Sequence, residues 1–79
     1  MSYEVGVLKY SFAREDRANS YDLLVDGETS CRFPAPMHSI EKLSWVLHQL
    51  AREDWRVVCS HDGVLILQRD LPSAPYREQ

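Results

Sequence analysis

Apolar and polar residues alternate with a two-residue period through much of the first 33 positions, a pattern that predicts strands. Residues 3–12 are rich in aromatic and aliphatic side chains whose phase switches near Val7, so we expect one strand with a bulge or a sharp twist, which Gly6 would favour. Residues 21–25 and 29–33 alternate again on either side of Asp26-Gly27, a pair that favours a type I′ turn. This part of the chain therefore predicts a strand followed by a hairpin.

A helical period replaces the alternation after the prolines at positions 34 and 36. Ser39 is an N-cap candidate, and Glu41 in the first turn complements the helix dipole. The apolar residues of this segment occupy one arc of the helical wheel: Ile40, Leu43, Val46, Leu47, Leu50 and Ala51. The pattern predicts an amphipathic helix of about four turns that ends before Trp55.

A second hairpin is predicted around Asp62-Gly63, between residues 56–60 and 64–68. A two-residue turn would place His61 opposite Val64, Cys59 opposite Ile66 and Val57 opposite Gln68. One face of the hairpin is then expected to pack under the helix, and it holds Trp55, Val57, Cys59, Val64 and Ile66. The other face holds Arg56, Val58, Ser60, Leu65, Leu67 and Arg69.

Together these elements predict one α+β domain over residues 1–71, with a mostly antiparallel sheet of four or five strands and one helix on one face, in the order ββ(β)αββ. Residues 72–79 contain two prolines and no periodicity, and they are expected to form a flexible tail. The predicted core comprises Ile40, Leu43, Leu47, Leu50, Trp55, Val57, Cys59, Val64 and Ile66, with Val5 and Val7 from the first strand.

Residues 47–58 (LHQLAREDWRVV), followed by a hairpin that ends in LQR at residues 67–69, resemble the domain-of-unknown-function family numbered 4177. That family's pattern is LxxLGxxGWELV before a short hairpin, and residues 3–5 (YEV) are similar to its opening strand. Ala51 and Asp54 stand where the family has glycines, and Arg56 stands where it has Glu; Asp tolerates a left-handed helix end better than most residues. The resemblance implies a strand, helix, strand, strand layout, to which residues 13–33 add a hairpin. It also implies a bacterial or phage origin, and it brings no activity, cofactor or catalytic residue.

Composition and charge narrow the classes of function. The 79 residues carry a net charge of -3 with acids and bases interspersed, and the one mixed run, at residues 14–17 (REDR), is expected to be a solvated turn. Because phosphate binding needs clustered cations, nucleic acid is not an expected partner. The absence of a signal-peptide pattern or a bilayer-length apolar run predicts a cytoplasmic protein without a membrane partner, in which both cysteines are free thiols.

Cys59 and His61 lie two apart on a predicted strand and point the same way, which makes them the candidate pair for chemistry. Cys31, His38 or His48 would have to complete a zinc site, and structural zinc sites usually show two close ligand pairs. A Cys–His nucleophile would need an orienting group and an oxyanion element, and the sequence indicates neither. We therefore expect no cofactor and no enzymatic activity. A small-ligand or metal site at Cys59 and His61 is the alternative, and a cysteine-dependent enzyme comes third.

Two apolar features outside the predicted core indicate a protein-binding surface. Trp45 lies about 140° from Ile40 on the helical wheel, beside Gln49 and Arg52, and tryptophan is enriched at interface hot spots. The alternatives are that residues 33–38 fold over Trp45 or that its ring lies flat along the helix. One helix covers one face of a sheet, so the second face of the last hairpin must meet solvent, a second copy or a partner unless the N-terminal hairpin covers it. On that face an apolar patch edged by Arg56 and Arg69 is predicted, and it consists of Val58, Leu65 and Leu67.

The predicted interface residues are Trp45, Gln49, Arg52, Arg56, Val58, Leu65, Leu67 and Arg69. The expected function is a non-enzymatic protein–protein interaction module, a homodimer that acts as a small regulator or adaptor.

Overall fold

Five strands form one antiparallel sheet in the computed structural model, which describes residues 2–12 and 18–71. The elements are β1 (Tyr3–Ser11), β2 (Ser20–Val25), β3 (Glu28–Pro34), α1 (Ile40–Ala51), β4 (Arg56–His61) and β5 (Val64–Asp70). The strand order is β3-β2-β1-β5-β4, so β1 is central and β3 and β4 are the edges. The predicted α+β class and element order are confirmed. The predictions for residues 14–17 and for residues 72–79 lie outside the described residues.

Both predicted Asp-Gly hairpins are confirmed, and their backbone angles explain why these residues stand there. Asp26 and Gly27 have φ values of 56° and 81°, and Asp62 and Gly63 have 50° and 81°. A type I′ turn requires positive φ at both central residues, which Gly adopts freely and Asp tolerates. The turns fix the strand pairs β2–β3 and β4–β5.

Local hydrogen bonds set both ends of α1. The Oγ of Ser39 accepts a hydrogen bond from the Lys42 N–H at 3.0 Å, which confirms the predicted N-cap. At the other end the Trp55 N–H donates to the Leu50 carbonyl at 3.1 Å, and the Asp54 N–H donates to Ala51 at 3.0 Å. This is a Schellman arrangement with Asp54 in the left-handed region at φ 69°. The turn brings Trp55 back against the sheet, where the residue is 4% exposed.

The bulge predicted near Val7 is wrong, because β1 pairs with both neighbours without a register shift. Its change of phase arises because the central strand carries apolar and aromatic side chains on both faces: Leu8 and Tyr10 on the helix side, Val5 and Val7 on the other. The register shifts occur instead at the edges, where Ser30 in β3 and Val58 in β4 are the extra residues.

Gly6 lets Trp55 lie against the middle of the sheet. A Cβ atom at position 6 would come within 2.8 Å of Leu23 Cδ1 and within 3.1 Å of Cη2 and Cζ3 of the Trp55 ring. Carbon atoms pack best at about 3.5–4.0 Å, so any side chain here would displace one of these neighbours. The absence of a side chain at position 6 thus belongs to the core packing.

The sheet face that packs against α1 is the opposite of the predicted one in the last hairpin. Leu67 is 1% exposed and Leu65 packs against the core, although both were predicted to lie on the uncovered face. The buried apolar residues are Leu8, Tyr21, Leu23, Ala35, Val46, Leu50, Trp55 and Leu67. Leu43 and Leu47 pack against this cluster as expected, whereas Ile40 is 72% exposed.

The core prediction failed on this hairpin for two physical reasons. The hairpin is apolar on both faces, so its own pattern does not say which face α1 covers; the pairing of Gly6 with Leu67 and of Leu8 with Leu65 decides that. The bulge at Val58 also shifts the register, so that Val57 lies opposite Leu67 rather than Gln68. The predicted core residues Val5, Val7, Cys59, Val64 and Ile66 consequently lie on the face away from α1, and Val57 is half exposed.

Candidate functional site

The sheet face opposite α1, here called the open face, has an apolar centre. Residues paired across antiparallel strands project to the same side, so Val7 shares this face with Leu24 of β2 and Ile66 of β5. Ile66 is in turn paired with Cys59 of β4. These four residues, Leu24, Val7, Ile66 and Cys59, cross four strands and form what we call the apolar row. Among the described residues no helix or strand lies over it.

The apolar row is extended along β1 by Val5, which is 44% exposed. Polar residues follow on both sides of the row. Beyond one side lie Gln68 and the exposed ion pair of Arg56 with Asp70, whose charged atoms are 3.7 Å apart. Beyond the other side lies a charged group on β1, β2 and β3. The open face therefore has an apolar middle and a polar rim, the arrangement typical of protein interfaces.

The charged group consists of Lys9, Asp22 and Arg32, which are direct cross-strand neighbours. Asp22 is 3% exposed, and its carboxylate accepts hydrogen bonds from Arg32 Nε at 3.1 Å, Arg32 Nη2 at 3.3 Å and Ser20 Oγ at 2.7 Å. Burial raises the pKa of Asp22, but the hydrogen bonds from Arg32 and from two serines outweigh burial and leave the pKa below its ordinary value. Asp22 is therefore ionised at neutral pH.

These residues line a cleft of about 670 Å³ at the β1–β2–β3 end of the open face. Sequence reasoning missed this cleft. The available signal was Asp22 itself, a charged residue between Tyr21 and Leu23 in an otherwise apolar strand. Its partners stand on two other strands and depend on the sheet register, which the sequence pattern did not supply.

Trp45 lies outside the buried side of α1, as predicted, and is 48% exposed. The Phe33 ring meets its ring edge to face at a centroid distance of 6.0 Å, and the Lys42 ammonium lies 4.1 Å from its centroid. The predicted alternative, coverage by residues 33–38, thus holds in part. Of its predicted neighbours, Gln49 is half-buried and Arg52 is exposed at the C-cap of α1.

The other predicted interface residues do not form one surface with Trp45. Leu65 and Leu67 belong to the core, which corrects their assignment to an exposed patch. Val58 is 58% exposed at the bulge of the edge strand β4. Arg56 pairs with Asp70 on the open-face side, whereas the Arg69 guanidinium lies 4.6 Å from the centroid of the Trp55 ring.

Arg69 of β5 is a structural residue that connects the neighbouring strand β1 to the turn after α1. It forms an ion pair with Glu4 of β1, and its Nη1 donates to the Glu53 carbonyl at 3.1 Å. With its cation over the buried indole, Arg69 holds Trp55 against the sheet. Its predicted place at the edge of a binding patch is therefore wrong.

The cysteines and histidines do not converge. Cys59 and His61 are exposed on β4, and Cys31 is half-buried on β3 at the opposite edge of the sheet. The His38 Nδ1 is hydrogen-bonded to the Tyr21 hydroxyl at 2.7 Å, and His48 is exposed on α1. Within residues 2–12 and 18–71, no three His, Cys, Asp or Glu side chains are grouped so as to hold a metal ion.

No helix in the described part of the chain is long and apolar enough to cross a membrane. No protein-family model, curated protein or solved structure matches the chain. The resemblance to the family numbered 4177 stays a prediction. The geometry of the open face is therefore the main indication of function.

Proposed function

We propose that this protein is a non-enzymatic protein-binding module that pairs with a second copy of itself through the open face of its sheet. The observation that carries the proposal is the apolar row, Leu24, Val7, Ile66 and Cys59, which crosses the middle of a face that no described helix or strand covers. A sheet needs apolar cover on one face for folding, and α1 supplies it. A second apolar face that remains uncovered is typical of an association surface.

The rim of the open face supports a contact between identical surfaces. A twofold dimer brings the same patch of both copies together, so unpaired like charges in the patch would oppose it. Arg32 is paired with Asp22 and Arg56 is paired with Asp70, which neutralises the rim within each copy except for Lys9 at its β1–β2–β3 end. Two copies therefore meet through an apolar middle without a large repulsive term.

Binding is favoured over catalysis because the described cysteines and histidines form no nucleophile–base pair. No hydrogen bond joins Cys59 to His61, which both lie on β4. Cys31 stands on the opposite edge strand, and His38 is engaged by the Tyr21 hydroxyl. A nucleophile and its base must lie within hydrogen-bond reach of each other. A small dimer of this kind acts as a regulator or adaptor in the cytoplasm, the role and location expected from the sequence.

Sedimentation equilibrium on three proteins tests this proposal. The wild type is expected to be dimeric at concentrations of about 100 µM or more, and Ile66→Glu, which places a charge in the apolar row, is expected to be monomeric with an unchanged far-ultraviolet circular dichroism spectrum. Val58→Glu is the matched control, because it adds the same charge at an exposed position on the bulge of β4. It should remain dimeric.

Two results would refute the dimer. One is a wild type that stays monomeric throughout that concentration range. The other is dissociation by Val58→Glu with Ile66→Glu still dimeric, which would move the interface to the edge strand.

A further inference from the structure

We propose that the cleft on the open-face side of β1, β2 and β3 binds the oxyanion group of a small organic acid or phosphate ester, held by Arg32 and Lys9, with Asp22 orienting the arginine. This inference goes beyond the proposed dimer, because it rests on the charged group at the end of the open face and not on the apolar row.

Asp22 fixes the orientation of the Arg32 guanidinium but does not engage all of its N–H groups. Its Nε and Nη2 donate to the two oxygens of Asp22, so the plane of the guanidinium is fixed by a bidentate contact. Nη1 takes no part in that contact, and 44% of the arginine side chain is exposed. A planar, pre-oriented guanidinium with free N–H groups matches a carboxylate or phosphate better than a flexible cation does.

Burying Asp22 costs free energy, and this cost indicates that Arg32 has a role other than stabilising the fold. Replacing a buried ion pair by apolar residues is often neutral or stabilising, so such a pair is weak evidence of a contribution to stability. Asp22 is the only charged residue of β2 and stands between the buried Tyr21 and Leu23. The Ser20 hydroxyl donates a hydrogen bond to the same carboxylate. Two polar side chains are thus committed to holding one arginine at the wall of a cleft.

The charge of the group is positive in a chain whose net charge is -3. Lys9 lies directly across from Asp22, is exposed, and forms no ion pair with any carboxylate of the described residues. Two cations therefore face one carboxylate that is already hydrogen-bonded. The excess positive charge, set in a concave site, attracts an anion from solution.

The size and lining of the cleft fit a small molecule. Its volume of about 670 Å³ lies within the range of roughly 300–1,000 Å³ that is usual for small-molecule sites. Thr29 offers a hydroxyl beside the cations, and Leu24 and Pro34 offer apolar contact for the body of the ligand. These features favour an organic anion over a bare inorganic ion.

Nuclear magnetic resonance titration of the ¹⁵N-labelled protein tests the proposal, with inorganic phosphate and succinate as probes at constant ionic strength. Saturable amide shifts confined to β1, β2 and β3 are expected in the wild type. Lys9→Gln leaves the Asp22–Arg32 pair intact and is expected to weaken binding several-fold, and Arg32→Lys, which keeps the charge but loses the fork, is expected to weaken binding about tenfold. Arg52→Gln, at the exposed C-cap of α1, is the control and should leave affinity unchanged.

The titration is repeated in the Ile66→Glu background, so that its outcome does not depend on self-association. Tighter binding of phosphate than of succinate would assign the ligand to phosphate esters, and the reverse order would assign it to organic acids. Shifts that rise linearly without saturation, or that are equal in the wild type, Lys9→Gln and Arg32→Lys, would overturn the proposal.

Discussion

Adding a single methyl group at Gly6 tests how Trp55 packs against the sheet. In Gly6→Ala the new Cβ would meet Leu23 Cδ1 at 2.8 Å and two Trp55 ring atoms at 3.1 Å. Both neighbours are buried, at 0% and 4% exposure, so neither can move into solvent. Overpacking of this kind costs about 1–3 kcal/mol, and the loss of glycine's freedom in the unfolded chain returns about 0.4–1 kcal/mol.

The expected net effect of Gly6→Ala is a loss of about 1–2 kcal/mol in the free energy of unfolding, measured by urea denaturation. A double-mutant cycle with Trp55→Phe identifies the cause, because the contacting Cη2 and Cζ3 atoms belong to the indole ring and are absent from phenylalanine. The cost of Gly6→Ala should fall by more than about 0.5 kcal/mol in the Trp55→Phe background. A Gly6→Ala protein as stable as the wild type would refute the placement of Trp55 over β1.

Three further predictions follow from burial and charge. Leu67→Ala should cost about 2–5 kcal/mol in urea denaturation because it empties a core position, whereas Val58→Ala should cost under about 0.5 kcal/mol; equal costs would contradict the corrected faces. Trp55→Ala should cost about 3–5 kcal/mol and Trp45→Ala markedly less, and iodide should quench Trp45 more than Trp55; a shielded Trp45 would contradict the position of its helix face. The pKa of Asp22 is lower in the folded than in the unfolded chain, so the ionised carboxylate stabilises the fold at pH values above the unfolded pKa of about 3.9. This stabilisation is lost as the pH falls through the folded pKa, so acid should lower the free energy of unfolding of the wild type more than that of Asp22→Asn. Parallel plots of the free energy of unfolding against pH for the two proteins would contradict this.

Features set by neighbouring residues could be predicted from the sequence. The Asp26-Gly27 and Asp62-Gly63 turns and the Ser39 cap depend on residues within a few positions, and all three were correctly predicted. The burial of Trp55 was also correctly predicted, since the turn at Asp54 brings this residue back to the sheet. Such features require no knowledge of which strands pair.

Features set by distant pairing could not be predicted. Leu67 and Ile66 are adjacent and both apolar, so only the pairing of β5 with β1 shows that Leu67 packs under α1 and Ile66 does not. The bulge at Val58 has no marker such as glycine, and it moved Val57 out of the predicted register.

The open face was predicted only in part from the sequence. The premise that one helix covers one face of the sheet agrees with the structure, in which no described helix or strand covers the other face, but which face is covered was predicted wrongly. The charged cleft was not predicted, because Lys9, Asp22 and Arg32 come together only through the pairing of three strands.

Methyl nuclear magnetic resonance spectra across a dilution series of the wild type show directly whether two copies meet at the apolar row. If they do, the methyl signals of Val7, Leu24 and Ile66 shift with concentration while those of the buried Leu8 stay constant. Concentration-dependent shifts centred on Val58 of the edge strand, or spectra that do not change on dilution, would contradict a contact between two copies at the apolar row.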